Sequence, residues 1–353
     1  MFWTIITTCV IALYAVYITA LWWLQRKQLT ASVPPKVART IKPPVQSNIH
    51  NDPILQKADE AQHMLQTFQK FVPRQFVDHF AMGGAESLKL GFASEDEVAM
   101  MFCDIRGFTS LSEKMSPQQL MNFLNSYFVR MNAPIHDNYG FIDKFIGDAI
   151  MALFDHPQGS ASDKASDAVQ AALGLQKALR LYNHHRANSG YEPINNGIGL
   201  HFGPVILGTV GSDDRMDTTV LGDTVNIAQR IESLTQRFSS DILASRELVN
   251  AASEKLDFAW RSIDTVYLRG KSSSIEIIEI YQHLSQDEID TRNACKKLIE
   301  EGVALRNDKY FQAAIDVFRN AQALYPADKV LEYHLTLCNS LMYADDWDGK
   351  VKL

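Results

Sequence analysis

The segment Phe102-Cys103-Asp104-Ile105-Arg106-Gly107-Phe108-Thr109, followed later by Lys144-Phe145-Ile146-Gly147-Asp148, constrains this chain more than any other. Val98 to Cys103 is an unbroken apolar run that reads as a strand buried on both faces, and it ends at Asp104 before a turn through Gly107. Phe141 to Phe154 is two apolar runs broken by Gly147-Asp148, a pair suited to the tight turn of a β-hairpin. The pattern predicts Asp104 at a strand's exit and Asp148 at a hairpin tip.

Two aspartates brought together at strand ends can bind hard divalent cations through oxygen, the arrangement used to handle phosphates with Mg²⁺ or Mn²⁺. The loop from Ile105 to Thr109 adds backbone N–H groups that can point at phosphate oxygens. Asp after a strand and Gly-Asp in a hairpin are each ordinary turn chemistry. Their weight comes from what accompanies them, Thr219-Val220-Leu221-Gly222-Asp223-Thr224-Val225-Asn226-Ile227-Ala228-Gln229-Arg230 and then Arg269-Gly270-Lys271.

In order and wording these segments resemble the catalytic domain of class III nucleotidyl cyclases, from about Val98 to Tyr281. The resemblance implies an α+β, ferredoxin-like catalytic domain with an antiparallel-rich sheet. It also implies a head-to-tail homodimer in which each active site borrows residues from both copies. Asp104, Ile105 and Asp148 of one copy are then expected to hold two divalent metal ions, Mg²⁺ or Mn²⁺. Phe108 and Thr109 would line the substrate, and the other copy would supply Lys144, Thr219, Asn226, Arg230 and Lys271.

Each role has a physical basis. In a helix starting near Thr224, Asn226 and Arg230 project from one face, while Ile227, Ile231 and Leu234 form an adjacent apolar stripe that can pack. Arg230 offers planar donors to a phosphate whose charge grows in the transition state, Asn226 can orient the ribose, and Lys271 can hold the triphosphate as a point charge. The implied reaction is a two-metal-assisted, in-line attack of the ribose 3′-hydroxyl on the α-phosphate of ATP, releasing pyrophosphate. No protein general base is evident.

Base choice rests on Lys144 and Thr219. Adenine N1 accepts a hydrogen bond that an ammonium can donate, whereas guanine N1 carries a proton and would meet the ammonium donor to donor. Guanylate-forming members of the family typically carry Glu where this chain has Lys144, so the expectation is adenylyl cyclase. Thr219 departs from the Asp commonest at its position. The Lys/Thr pairing is similar to the subgroup called class IIIb, some members of which respond to bicarbonate. The rival readings are a guanylyl cyclase, opposed by Lys144, and an inactive membrane-bound regulatory or scaffold protein, opposed by the intact residue set.

Other apparent signals fail. Gly270-Lys271-Ser272 imitates the end of a P-loop, but the earlier Gly would fall at Thr265. His184, His185 and His201 lack a partner set with zinc spacing, and no Ser or Cys nucleophile constellation is present. A net charge of -7 gives no reason to expect a nucleic acid partner, and four scattered cysteines among 353 residues lack a disulfide framework.

Phe2 to Leu24 carries no charge over 23 residues. At ~1.5 Å per residue it spans roughly 34 Å, enough for a ~30 Å hydrocarbon layer. Trp3, Trp22 and Trp23 mark its ends, and Arg26, Lys27, Lys36, Arg39 and Lys42 follow before any acid. A single-pass transmembrane signal anchor over 1–25 is therefore expected in the inner (plasma) membrane, with the bulk of the chain cytoplasmic; a cleaved signal lacks its basic n-region here. Residues 26–53, with Pro34-Pro35 and Pro43-Pro44, read as a linker. In 54–80, Ile54, Ala58, Ala61, Leu65, Phe68 and Val72 form a heptad seam, either a short parallel coiled coil or a helix docked on its own domain. The catalytic domain is expected over 81–284.

Within it, Ser116-Pro117 caps a helix bearing Phe123, Tyr127 and Met131, Asp163 to Tyr182 reads as a second helix, and apolar strand runs flank Gly203-Pro204. Residues 285–353 read as helical, with Gly302, Ala304, Leu305, Tyr310, Ala313, Ala314, Phe318, Ala321 and Pro326 resembling one tetratricopeptide-like unit. A single such unit cannot bury its apolar face alone, so it is expected either to pack on the catalytic domain, the favoured reading, or to bind another protein.

Overall fold

The computed structural model describes residue 62 and residues 90–352, apart from 157, 213, 268–273, 344–346 and 348–350. The expected transmembrane segment, linker and heptad helix lie outside the described residues, position 62 excepted, as does Lys271. No helix among the described residues is long and apolar enough to cross a membrane.

The chain opens with β1 (Ala93–Ile105), a five-residue helix α1 (Phe108–Ser112) and α2 (Pro117–His136). The hairpin β2 (Gly140–Ile146) and β3 (Ala149–Phe154) follows, then α3 (Ala161–Asn188) and the long β4 (Asn196–Ser212). These four strands lie in the order β2-β3-β1-β4 with every neighbouring pair antiparallel, the expected ferredoxin-like βαββαβ core. Side chains of β1 alternate strictly: Ala99, Met101 and Cys103 join the core beneath α2 and α3, and Val98, Met100 and Phe102 join the core on the opposite face. That double burial is why the strand reads as one apolar run.

Beyond the core come β5 (Arg215–Leu221), α4 (Asp223–Phe238), β6 (Ile242–Ser245), α5 (Arg246–Ala252), β7 (Trp260–Tyr267) and β8 (Ile275–Ile280). β6, β8 and β7 continue the sheet past β4, while β5 folds back on β4 as a hairpin arm. The apolar runs on either side of Gly203-Pro204 form one continuous strand, β4. Pro204 falls between the stretch that pairs with β6 (198–200) and the stretch that pairs with β5 (206–212), a gap in the ladder that suits a residue with no N–H.

Local chemistry sets the helix starts. Ser116 and Gln119 form a reciprocal capping box with Pro117 in the first turn of α2, as the sequence predicts. α3 runs further than the expected 163–182: Asp163 is its third residue, closing a capping box with Ser160, and the helix continues to Asn188.

After β8 the chain forms α6 (Gln286–Asn307), α7 (Phe311–Leu324) and α8 (Lys329–Leu341), then β9 (Val351–Lys352), which pairs parallel to β7. As expected this segment packs on the catalytic domain: Ile299, Phe318 and Leu331 share one core with Ile231, Leu243 and Ile277. Gly302 lets α6 and α7 approach, since a Cβ there would run into the Phe318 ring. Ala304 and Ala313 of the expected repeat are exposed. The sheet thus does not end near residue 284, because the tail returns to give it an edge strand.

Candidate active site

Asp104 leaves β1 opposite Gly197 of β4, and Asp148 occupies the tip of the β2–β3 hairpin beside Gly147, whose φ of 66° is the left-handed conformation glycine tolerates. The register that pairs Cys103 with Ile150 brings the two carboxylates together. The Ile105 amide donates to both, at 3.1 Å to Asp104 Oδ1 and 3.3 Å to Asp148 Oδ2. Partial burial, then the neighbouring Asp104 carboxylate, push the Asp148 carboxyl up to about 7. Two half-buried carboxylates around one N–H form an oxygen-rich, negatively charged corner, whose chemistry fits an oxygen-seeking divalent cation. Asp104, Asp148 and the Ile105 carbonyl have the donor chemistry to hold it.

A third acid belongs to this corner, and sequence reasoning missed it. Glu232 of α4 packs over Gly197, and burial followed by the Asp104 charge pushes its carboxyl up to about 7, against the pull of Arg106. In sequence only the alternation of Gly197 and Gly199 hints at it. Gly197 and Gly199 alternate on one face of β4, where a Cβ would collide with Glu232 and Thr235, and Ala228 and Thr235 flank Glu232 on the buried side of the helix. Arg106 crosses the same corner, donating 2.6 Å to the Ser240 carbonyl and pairing with Asp241 at 3.6 Å.

Gly107, at φ 68°, turns the chain into α1 without a side-chain cap, which leaves Phe108 and Thr109 at the helix start with their amides toward the loop. Lys144 is exposed on β2, 3.3 Å from Asp143, whose carboxyl is raised by burial against the opposing Lys144 charge. Thr219 lies on β5 opposite Gly208, far along β4 from the Gly197 that faces Asp104. α4 runs back along β4: its Thr224 hydroxyl donates 2.6 Å to the Pro204 carbonyl, and its later turns reach Gly199 and Gly197. Asn226 is exposed and Arg230 half-buried on this helix. One chain therefore brings Asp104, Ile105 and Asp148 together at one end of β4, with Thr219 and the start of α4 towards the other.

The adenylate and guanylate cyclase catalytic domain family matches residues 91–282. An adenylate cyclase of Anabaena cylindrica is 43% identical over 222 residues, covering 61% of this chain and 43% of that protein. The terminal-differentiation specific adenylate cyclase of Dictyostelium discoideum is 33% identical over 278 residues, covering 78% and 13% respectively. The chain thus spans less than half the length of these curated relatives. Among solved structures, the adenylyl cyclase CyaB from P. aeruginosa aligns with 29% identity and a TM-score of 0.50 over 55% of this chain and 98% of that one. A bacterial light-regulated adenylyl cyclase shares the fold, with a TM-score of 0.58, 24% identity and 69% of each chain covered. The chain belongs to the class III nucleotidyl cyclases.

Proposed function

We propose that this chain is an adenylate cyclase that converts ATP to 3′,5′-cyclic AMP and pyrophosphate at sites shared between two copies of itself. The observation that carries the reading is the convergence of Asp104 and Asp148 on the Ile105 amide, with Asp148 raised to about 7 by burial and by the neighbouring Asp104. A divalent ion held there would neutralise the triphosphate and favour ionisation of the attacking ribose hydroxyl.

The other roles fall to protein groups. Phe108 and Thr109 present backbone amides to phosphate oxygens. In the second copy, Lys144 donates to adenine N1 and Thr219 contacts the exocyclic amine, while Asn226 orients the ribose and Arg230 meets the charge growing on the α-phosphate. Lys271 holds the leaving pyrophosphate by charge. Two features support a homodimer. The spread of Thr219 and the start of α4 away from Asp104 leaves a single chain's metal corner without them. Ile206, Val210, Met216 and Leu221 also leave the β4–β5 arm with exposed apolar surface. The names of the curated relatives and Lys144 both favour ATP over GTP.

Cyclic nucleotide formation with ATP or GTP, in Mg²⁺ or Mn²⁺, tests the reading. Cyclic AMP from ATP alone is expected; cyclic GMP as the main product contradicts the Lys144 assignment, and no product from folded dimer contradicts the enzyme. We also propose that Phe2 to Leu24 anchors the chain in the plasma membrane with the catalytic domain cytoplasmic, supported by the basic residues that follow it. Release of the chain from membranes by alkaline carbonate would contradict that anchor.

A further inference from the structure

On the face of the sheet opposite α4, a cleft of about 520 Å³ opens between α1, α2 and α3. Its volume is that of a small-molecule site. Four basic side chains line it, Lys114, Arg130, His185 and Arg186, and no Asp or Glu does, in a chain whose net charge is -7. None of the four has a carboxylate ion-pair partner among the described residues. Cations concentrated in a concave wall without counter-charge focus a positive field.

Between these charges the walls carry the flat rings of Phe123, Tyr182 and Tyr191 and the aliphatic Leu111 and Met115, along with four uncharged polar side chains. Arg186 is buried and fixed, its guanidinium 5.2 Å from the Phe123 ring centre and 5.5 Å from that of Tyr191, with Nε donating 2.9 Å to the Glu192 carbonyl. Arg130 lies 4.9 Å over the Tyr182 ring, held by its own helix through Nη1 donating to the Ser126 carbonyl and hydroxyl at 2.7 and 2.9 Å. Both guanidiniums are thus oriented before any ligand arrives, which lowers the cost of binding one.

We propose that this cleft binds a small organic anion with a flat apolar body, an aromatic carboxylate in chemical class, at a site separate from the nucleotide chemistry. The carboxylate takes the planar donors of Arg130 and the charge of Lys114, and the ring lies against the apolar wall.

Calorimetric titration of the full chain with 1-naphthoate, set against its uncharged isostere 1-naphthamide, tests the proposal. Naphthoate is expected to bind, and the amide at least about tenfold more weakly, since hydrogen bonds to a charged group carry roughly that factor. Lys114→Gln with Arg130→Gln, both exposed, should weaken naphthoate by at least about tenfold, while the same charge change at Lys177→Gln with Lys297→Gln, outside the cleft, leaves it within about twofold. The comparison of the two probes on the unaltered chain decides the matter even if the cleft variant fails to fold. Absence of naphthoate binding, equal binding of the two probes, or equal weakening by both double variants overturns the proposal.

Discussion

Two corners of this molecule bury carboxylates, and they treat them in opposite ways. Where β7 and β8 meet the C-terminal helices, every buried acid has a guanidinium. Arg261 binds Glu279 at 2.5 Å and Asp328 at 2.5 Å, and Arg306 binds Asp264 through two bonds of 2.6 and 3.0 Å. Glu279 is held below the usual carboxylate range: burial alone would raise it, but the charges of Arg261 and Arg292 outweigh that. His334 completes the network as a neutral ring, pushed down to about 4 by burial, with Nδ1 accepting from Arg306 and Nε2 donating to the Ile263 carbonyl. At the exit of β1, Asp104, Asp148 and Glu232 crowd one corner beside Arg106, and two of them rise to about 7. In the first corner every buried acid is paired as folded. The second holds charge in excess of its partners, the kind of imbalance that marks a candidate functional site.

That contrast can be broken from either side. The largest effect is expected at the metal corner: Asp104→Ala should lower cyclase turnover at least about a thousandfold, the scale of losing a group that organises transition-state charge, with little change in melting temperature. Turnover near normal would remove Asp104 from the site. In the paired corner the loss should fall on stability instead. Arg306→Met strands Asp264 and should cost about 3–5 kcal/mol in a denaturant titration, because an unpartnered buried charge is left behind.

A subtler difference lies in the sign of the pH dependence. Asp148 is raised above its unfolded value, so the folded state binds the extra proton more tightly and metal-free stability falls as pH rises from about 4 to about 7. Asp148→Asn should therefore raise the melting temperature of metal-free protein above pH 7 while removing activity. A fall there would mean the carboxylate is not strained. Because metal binding must displace that proton, Mn²⁺ affinity measured calorimetrically should drop by roughly tenfold from pH 8 to pH 6. A pH-independent affinity would separate Asp148 from the metal.

The functional corner was the more legible of the two in sequence. Its parts are local: an apolar run ending at Asp104, a Gly147-Asp148 turn, a helix bearing Asn226 and Arg230 at a four-residue spacing. Strand exits and hairpin tips are written by neighbouring residues, and β1, the β2–β3 hairpin and α4 fall where those patterns place them. Glu232 was hidden because its role depends on Gly197, which reaches it only through the packing of α4 on β4. The paired corner was illegible for the same reason at longer range, since Arg261 meets Asp328 and Asp264 meets Arg306 only once the tail has packed on the sheet. The helix starts show the intermediate case: Ser116-Pro117 marks the cap of α2 in the sequence itself, whereas Asp163, which the pattern places first in α3, is the closing member of a capping box.

The claim that one chain carries only half of each site is tested most directly by mixing two inactive variants, Asp104→Ala and Arg230→Ala. Each mixed dimer would hold one site with both defects and one with neither. Random exchange should therefore restore about a quarter of the unaltered activity, because about half of the dimers are mixed and each carries one intact site of two. Mixed dimers that form and yet make no cyclic AMP would contradict a site shared between copies.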